Sequence, residues 1–325
     1  MTSSLAAVVM AAGLGTRMRS ERPKHLHPLL GRRLLDWSIE PVLPLHPDPL
    51  VVVCSPATEG ELEGTLPEGA TLAIQEEPRG TGDAVAAARP ALEGFEGDIF
   101  VLDGAAPLLT TELLGALLDE HRSTGAAVTV LSIEPDEPLP YGRIVRDESG
   151  ALRAIVEEKD ATPEERAVKE LNTSIYVFRA ADLWPALEVL DPANAQGELY
   201  LTDAVRNLAD AGRGAAVYCA PVADMGLGVN TRAELAQAAS ELRRRIVEEH
   251  MSAGVAVSDP ATTWIGPDVV IEPEAVIHPF TILHGKTVVR AGAEVGPHAV
   301  VVDSEVGEGA VVPPFTHLRP GGAGT

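Results

Sequence analysis

Positive charge, cysteine and long apolar runs are all scarce in this chain. Its 25 lysines and arginines stand against 48 aspartates and glutamates, a formal net charge of −23, so its summed field would repel nucleic acid and anionic membranes. Cys54 and Cys219 each lie in an apolar run, which favours buried thiols of a reducing compartment over a disulfide or a metal site. No apolar run reaches the roughly 18 residues of a membrane span, and no signal peptide precedes Leu5. We therefore expect a cytoplasmic protein.

What the chain does contain is apolar content in a regular alternation. Hydrophobic residues make up 45% of its 325 residues, which is enough for a substantial core and, by length, for two domains. From Leu5 to about Val229, β-branched runs at 50–55, 98–102, 126–133 and 174–178 alternate with stretches rich in alanine and leucine. This pattern predicts an α/β fold with a doubly wound, mostly parallel sheet. Ligands of such sheets bind at the carboxyl ends of strands, where we expect Gly13, Gly104 and Asn230.

The first apolar run breaks into a glycine loop followed by two cations, Arg17 and Lys24. Gly13 and Gly15 can adopt dihedrals that other residues avoid, and their N–H groups can face a phosphate. The loop is not a dinucleotide fingerprint, because Met18 stands where the third glycine belongs, and no Gly-Lys-Ser/Thr of a Walker loop follows. A plain strand-to-helix turn is the structural alternative. Strand, glycines and cations together favour a nucleotide site.

A six-residue repeat of aliphatic residues runs through the end of the chain, after an amphipathic helix predicted from Thr231 to about His250. The repeat occupies Ile265, Ile271, Ile277, Leu283, Val289, Val295 and Val301 and resumes after a one-residue slip at Val306, Val312 and Leu318. A hexapeptide repeat of this kind predicts a short parallel β-helix of roughly three turns, in which each residue of the stripe stacks on its counterpart one coil away.

The glycine loop resembles the signature of sugar-nucleotide pyrophosphorylases. Loop, helix and repeats together resemble the bacterial bifunctional N-acetylglucosamine-1-phosphate uridyltransferase/glucosamine-1-phosphate acetyltransferases over nearly the whole chain. The segments that carry the resemblance are Pro-Lys-His-Leu-His-Pro-Leu-Leu-Gly at 23–31, Gln-Glu-Glu-Pro-Arg-Gly-Thr-Gly-Asp-Ala at 75–84, Tyr-Gly-Arg-Ile-Val at 141–145, Ile-Val-Glu-Glu-Lys-Asp-Ala at 155–161, Leu-Asn-Thr at 171–173, Gln-Gly-Glu-Leu-Tyr-Leu-Thr-Asp at 196–203 and Gly-Val-Asn at 228–230. The resemblance implies a nucleotidyltransferase domain at 1–230, a linker helix at 231–252 and part of a left-handed β-helix at 253–325.

The resemblance also implies an activity and its residues. Uridyl transfer from UTP to N-acetylglucosamine 1-phosphate would give pyrophosphate and UDP-N-acetylglucosamine, a precursor for peptidoglycan. Arg17 and Lys24 would be the catalytic cations beside Mg²⁺. The implied nucleotide-binding residues are Ala12, Gly13, Gly15, Gln75, Gly80 and Thr81, and the implied sugar-binding residues are Gly142, Glu157, Asn172 and Thr202. The structural alternatives are a solvated surface glutamine, glycines that only begin a helix, and an exposed Asn and Glu.

One position departs from the family pattern Leu-x-Gly-Asp-x-Pro-Leu. The chain reads Leu-Asp-Gly-Ala-Ala-Pro-Leu at 102–108, so Ala105 carries a methyl where the resemblance implies a carboxylate ligand of Mg²⁺. Asn230 matches the second ligand. Asp103 is not expected to replace the missing carboxylate, because adjacent strand residues point to opposite faces. We therefore expect uridyl transfer to be impaired on the order of 10²-fold or more.

Three functions stay open at this point. The first is an impaired uridyltransferase that still binds UTP or UDP-N-acetylglucosamine, and the second, which Ala105 favours, is a non-catalytic sugar-nucleotide-binding relative. The third is a pyrophosphorylase for dTTP or for another sugar such as glucose 1-phosphate. Because the later coils of the family are missing here, we expect no acetyltransferase activity. The coil allows a homotrimer, with less interface than a complete coil offers, and no nucleic acid or membrane partner is expected.

Overall fold

The computed structural model describes residues 4–137, 139–320 and 322–324. These residues form two compact units. The first contains the described residues of Met1–His27 and Leu34–Thr231, and the second contains those of Pro28–Arg33 and Arg232–Thr325.

The first unit is built on one large mixed sheet. In chain order, the strands between residues 4 and 219 are β1 (Ser4–Met10), β2 (Pro28–Leu29), β3 (Arg32–Arg33), β4 (Leu50–Cys54), β5 (Ala70–Ile74), β6 (Gly97–Asp103), β7 (Val128–Ile133), β8 (Arg143–Arg146), β9 (Leu152–Val156), β10 (Leu171–Arg179) and β11 (Ala215–Cys219). The strand order is β11-β7-β10-β6-β1-β4-β5, and β8 and β9 form a hairpin beside β10. β2 and β3 pair only with each other and belong to the second unit.

Most of this sheet is parallel, as predicted. β1 runs parallel to β4 and β6, β4 to β5, and β7 to β11. The exceptions are β10, which runs antiparallel to β6, β7 and β8, and β9, which runs antiparallel to β8. The register places Met10, the last residue of β1, opposite Asp103, the last residue of β6. Both strands therefore end at the same edge of the sheet.

Helices cover both faces of the sheet. They are α1 (Leu34–Ile39), α2 (Pro56–Leu62), α3 (Thr81–Ala87), α4 (Thr111–Thr124), α5 (Pro163–Arg166), α6 (Ala180–Glu188) and α7 (Leu201–Asp210), with 3-10 turns at Thr16–Met18, Lys24–Leu26, Glu40–Leu45, Arg89–Leu92 and Ala223–Gly226. Alternate residues of β1 serve the two faces: Val8 packs in one core with α3, α6 and α7, and Val9 packs in the other with α1, α2 and α4. Burial of each such side chain contributes about 1.5–3 kcal/mol. The doubly wound α/β fold is confirmed.

The second unit contains one long helix and a stack of short strands. After α8 (Arg232–Ser252) come β12 (Ala256–Val257), β13 (Trp264–Ile265), β14 (Val270–Ile271), β15 (Val276–Ile277), β16 (Ile282–His284), β17 (Val288–Val289), β18 (Glu294–Val295), β19 (Val300–Val302), β20 (Glu305–Val306), β21 (Val311–Val312), β22 (His317–Arg319) and β23 (Gly322–Gly324). Each strand from β12 to β19 pairs in parallel with the third strand after it. β23 instead turns back antiparallel along β22.

The hexapeptide stripe forms the core of this coil. Ile265 is the register partner of Leu283, which in turn precedes Val301 in the same stack. The one-residue slip leaves the stacking intact, because Val306 still pairs with Val289. Three parallel stacks of this kind form the left-handed β-helix type that was predicted. Helix α8, predicted as a linker, packs through Val247 into this core.

Two expectations from the sequence are wrong. Cys54 is buried, but Cys219 is exposed, because it ends β11 at the edge of the sheet, where no further strand covers it in the described residues. Asn230 does not follow a strand but lies in the loop after the 3-10 turn Ala223–Gly226. No helix within the described ranges combines the length and apolarity needed to cross a bilayer.

Candidate active site

A cavity of about 460 Å³ lies where β1 and β6 end, a volume typical of small-molecule sites. Met10 and Asp103, the paired last residues of these strands, both line it. So do all the residues predicted for the nucleotide, for catalysis and for the metal except Ala105: Ala12, Gly13, Gly15, Arg17, Lys24, Gln75, Gly80, Thr81 and Asn230. The carboxyl edge of the sheet therefore gathers these segments as the α/β pattern indicated.

The glycine loop forms the wall that β1 leads into. Gly15 has a φ of 60°, and a Cβ built there would lie 2.5 Å from the Cβ of Lys24, so a larger residue would push the buried lysine away. Gly13 does not adopt a positive φ, and a Cβ there would meet only the His25 ring at 3.9 Å. The unusual dihedral expected of both glycines thus holds for Gly15 alone. Gly13 is instead an exposed stretch of backbone that a ligand can approach.

The two predicted cations occupy different environments. Arg17 is exposed in the 3-10 turn Thr16–Met18, whereas Lys24 is buried at the start of the next turn. The Nζ of Lys24 donates to Oδ1 of Asn230 at 3.3 Å and lies 3.8 Å from Oδ1 of Asp103. One ammonium group therefore lies between two oxygen-bearing side chains.

Asp103 faces the cavity, contrary to the argument from strand alternation. In a parallel pair the register partners point to the same face, and Asp103 is paired with Met10, which lines the cavity too. The strand also ends here: Oδ1 of Asp103 accepts the N–H of Ala105 at 3.0 Å, which folds the carboxylate back over the turn. The argument also misapplied alternation, because Asp103 and Ala105 are two residues apart and residues with that spacing point to the same face of a strand.

Ala105 itself is fully buried. Its carbonyl accepts the N–H of Val229 at 2.7 Å, so its backbone connects the turn after β6 to the loop that carries Asn230. A Cβ on Gly228 would come within 3.2 Å of Oδ2 of Asp103, and a glycine there leaves room for the carboxylate. The loop 228–230 is thus packed directly against Asp103.

Gln75 is a buried, oriented side chain rather than a surface glutamine. Its Nε2 donates to the carbonyl of Gly80 at 3.0 Å and to Oδ2 of Asp83 at 2.9 Å. Both donor positions of the amide are used in this way, and the amide orientation is set. Arg79 pairs with the other oxygen of Asp83 at 2.6 Å. These hydrogen bonds hold the side-chain amide of Gln75 in one orientation, which suits the base-binding role predicted for it.

Gly80 and Thr81 connect this wall to the segment before α7. Gly80 has a φ of 117°, and a Cβ there would lie 2.6 Å from the carbonyl oxygen of Leu199, so only glycine fits. The hydroxyl of Thr81 accepts the N–H of Leu201 at 3.0 Å. Gly80 therefore directly precedes helix α3 and also lines the cavity. The structural role and the binding role considered for it are compatible.

The residues predicted for the sugar form a cluster of their own next to this cavity. A Cβ on Gly142 would lie 3.5 Å from Oε2 of Glu157 and 3.6 Å from the Cβ of Asn172. Thr202, at the start of α7, donates its hydroxyl to Oε1 of Glu157 at 3.1 Å. The cluster adjoins the cavity through Ser174, whose N–H donates to Oδ1 of Asn172. The structure thus brings all four predicted residues together.

The cluster also contains Tyr176, which sequence reasoning missed. Its buried hydroxyl accepts from Nδ2 of Asn172 at 2.9 Å, and a bulge in β10, with Ser174 at a φ of 62°, brings the two side chains together. Burial, and then the charge of Glu157, raise the pKa of Tyr176, so its hydroxyl stays protonated. Burial also raises the pKa of Glu157, against the lowering effect of the Thr202 hydrogen bond.

His25 is the second residue that the sequence did not reveal. Its ring lines the cavity and is almost fully buried, and its Nδ1 has no hydrogen-bond partner among the described residues. Burial, and then the Lys24 ammonium, hold the pKa of His25 well below its usual value. The ring is therefore neutral at neutral pH and has a polar atom to offer a ligand. The local sequence carries no sign of this, because the burial of the ring depends on the tertiary fold.

A divalent metal fits these side chains if phosphate oxygens of the bound nucleotide and water complete its coordination shell. In the described residues no group of three or more His, Cys, Asp and Glu side chains is arranged to hold a metal. Asp103 and Asn230 nevertheless bring a carboxylate and an amide oxygen to a single cation, the Lys24 ammonium. Mg²⁺ is commonly held by one or two protein oxygens together with substrate phosphates and water.

A doubly wound sheet with a phosphate-type glycine loop, two cations and oriented polar walls at its carboxyl edge defines the class of nucleotidyltransferases. Residues 7–174 match the family model described as "MobA-like NTP transferase domain". The "Bifunctional protein GlmU" of Corynebacterium efficiens is 44% identical over 98% of this chain and 70% of its own length. The proteins of that name from Corynebacterium glutamicum and Mycobacterium tuberculosis are each 43% identical over 98% of this chain, and 70% and 69% of their lengths. The chain belongs to the GlmU family and is a nucleotidyltransferase.

Proposed function

We propose that the chain transfers uridylate from UTP to N-acetylglucosamine 1-phosphate, with release of pyrophosphate and formation of UDP-N-acetylglucosamine. The observation that carries the proposal is the convergence of both predicted residue sets, since the glycine loop, Lys24 and Gln75 line one cavity and the Glu157 cluster adjoins it through Asn172 and Ser174. A triphosphate and a sugar phosphate can thus be held side by side. We also propose the cytoplasm as the location and a homotrimer through the coil as the assembly.

The proposed reaction needs positioning and charge neutralisation rather than a covalent nucleophile. An oxygen of the sugar phosphate attacks the α-phosphorus of UTP in line, the new P–O bond forms, and the bond to the β-phosphate oxygen breaks. Lys24 and Arg17 lie where they can offset the charge that accumulates on the transferring group. When Mg²⁺ is bound, it supplies further neutralisation of the phosphate oxygens.

The test is a pyrophosphate-release assay on the purified chain with UTP, N-acetylglucosamine 1-phosphate and Mg²⁺. We expect turnover that falls on the order of 10²-fold in Lys24→Met, because the buried ammonium is lost, and that is unchanged in Lys286→Met, where the exposed lysine lies on the coil. Equal rates for Lys24→Met and the parent would contradict the proposal. Higher kcat/KM with dTTP or with glucose 1-phosphate would replace the substrates proposed here.

The same pyrophosphate-release assay tests the rate loss expected from Ala105. If the methyl leaves an essential carboxylate missing, Ala105→Asp raises turnover on the order of 10²-fold. If a carboxylate is supplied from another position, Ala105→Asp gives no such rise. Calorimetric binding of UDP-N-acetylglucosamine without turnover in either protein would favour the non-catalytic sugar-nucleotide-binding protein, the alternative that Ala105 supports.

A further inference from the structure

We infer that Asp103, two residues before the alanine, supplies the carboxylate that holds the divalent cation of the bound nucleotide, together with Asn230. The inference rests on the proposed function, because it concerns the same nucleotide cavity. It replaces the expectation that the chain lacks this carboxylate.

The first step is orientation. Asp103 ends β6 next to the end of β1, and both it and its register partner Met10 line the cavity. The carboxylate is partly buried, with 21% of the side chain exposed, and it is fixed by the hydrogen bond from the N–H of Ala105 to Oδ1. Oδ2 lies near Gly228, where the absent side chain leaves space. The group is therefore held in place in the cavity that the glycine loop also lines.

The second step is the position of the positive charge. The Lys24 ammonium lies 3.3 Å from Oδ1 of Asn230 and 3.8 Å from Oδ1 of Asp103. Two oxygen donors from segments far apart in the chain thus converge on one cation. Oxygen atoms of this type are the ligands of Mg²⁺ and Mn²⁺, and a triphosphate supplies others. Ala105 cannot take part through a side chain, because a methyl has no donor atom.

The third step is the rigidity of the two donors relative to each other. The carbonyl of Ala105 accepts the N–H of Val229 at 2.7 Å, and the hydroxyl of Tyr141 donates to the carbonyl of Gly228 at 3.1 Å. The first bond joins the turn after β6 to the loop of Asn230, and the second attaches that loop to Tyr141, which lies between β7 and β8. Donors that are fixed before the ion arrives lower the entropic cost of binding it.

The experiment measures Mn²⁺ binding to the UTP complex by electron paramagnetic resonance of the free ion, and UTP binding in EDTA by calorimetry. In Asp103→Asn, whose amide oxygen can still accept from Ala105, we expect Mn²⁺ affinity to fall tenfold or more. UTP affinity without metal should stay equal or rise, because a negative charge beside the phosphates is gone. A structural role alone would weaken both. Asp119→Asn, on the exposed face of α4, is the matched control and should change neither.

The outcomes separate this inference from the proposed function. Mn²⁺ affinity within twofold of the parent in Asp103→Asn overturns the inference and leaves uridyl transfer standing. Failure of the parent to bind UTP, with or without metal, overturns the proposed function itself. In the turnover assay, the inference predicts a strong loss in Asp103→Asn and less than a tenfold gain in Ala105→Asp, and a gain of 10²-fold in the latter would contradict it.

Discussion

At Glu157, the proposed binding of the sugar and the folding stability of the protein make opposite demands. Its carboxyl accepts from Thr202 and lies against Gly142, in the cluster that we assign to the sugar. Burial raises its pKa, and the negative charges of Asp160 and Asp203 act in the same direction. A raised pKa means that the folded state binds this proton more tightly than the unfolded state. The associated stability is complete below the ordinary value of 4.5 and is lost as pH rises through the folded-state pKa.

Replacing Glu157 by Gln should therefore stabilise the protein at neutral pH and weaken sugar binding. Gln can still accept from Thr202 but carries no buried charge. We expect the melting temperature of Glu157→Gln to exceed that of the parent by an amount that grows as pH rises above 4.5 and becomes constant above the folded-state pKa, on the order of a degree or more at neutral pH. The KM for N-acetylglucosamine 1-phosphate should rise about tenfold. Calorimetric scans and turnover assays measure both.

The control for Glu157 is Glu164→Gln on the exposed side of α5. It removes the same charge from a solvated position, so its melting curve should track the parent at every pH. A pH-independent difference between Glu157→Gln and the parent would show that the carboxyl titrates alike in the folded and unfolded chains, against the direction argued here.

At the scale of elements, the patterns that are local in the sequence predicted the structure well, and the long-range pairings did not follow from them. The aliphatic stripe predicted the coil because each repeat makes the same contact with the next, and Val306 keeps its stack despite the slip. The antiparallel direction of β10 was not predictable, since its apolar run reads alike in either direction. The spacing of Asp103 and Ala105 by two residues already places both on one face of the strand, whereas the register of Asp103 with Met10 and the turn at Gly104 could not be read from the sequence.

The entry into helix α3 offers a test of how the cavity wall is built. Alanine at position 80 would place its Cβ 2.6 Å from the carbonyl oxygen and 2.8 Å from the nitrogen of Leu199, at a φ of 117°. We expect Gly80→Ala to lower the free energy of unfolding by about 1–3 kcal/mol. UTP affinity should fall too, because the carbonyl of residue 80 holds Gln75. Urea unfolding and calorimetric titration with UTP provide the two values.

Gly115 is the matched glycine for that test. It lies within α4, and a Cβ there would meet nothing within 4 Å. Gly115→Ala should raise stability by about 0.5–1 kcal/mol, because alanine loses less backbone entropy in a helix, and should leave UTP affinity unchanged. If Gly80→Ala behaved like Gly115→Ala, the contact with Leu199 would not constrain the wall.

Over the whole molecule, the excess of acidic over basic side chains determines how stability responds to salt. Many carboxylates are paired: hydrogen bonds from Arg244 and Arg245 lower the pKa of Glu241 to about 2, and Arg179 and Arg213 both pair with Asp182. With a net charge of −23, however, pairing cannot reach every acid. Exposed pairs contribute only about 0–1 kcal/mol each, whereas the remaining negative charges repel one another throughout the folded chain.

Salt should therefore stabilise this protein, although it weakens the individual ion pairs. Screening shortens the range of electrostatic forces from about 30 Å at 0.01 M to about 10 Å at 0.1 M, and this relieves the many long-range repulsions more than it weakens the short pairs. We expect the melting temperature to rise between 0.02 and 0.5 M NaCl in calorimetric scans without divalent ions. The rise should be matched in KCl, because it depends on ionic strength and not on the cation. A falling melting temperature would mean that the arginine–carboxylate pairs outweigh the repulsion.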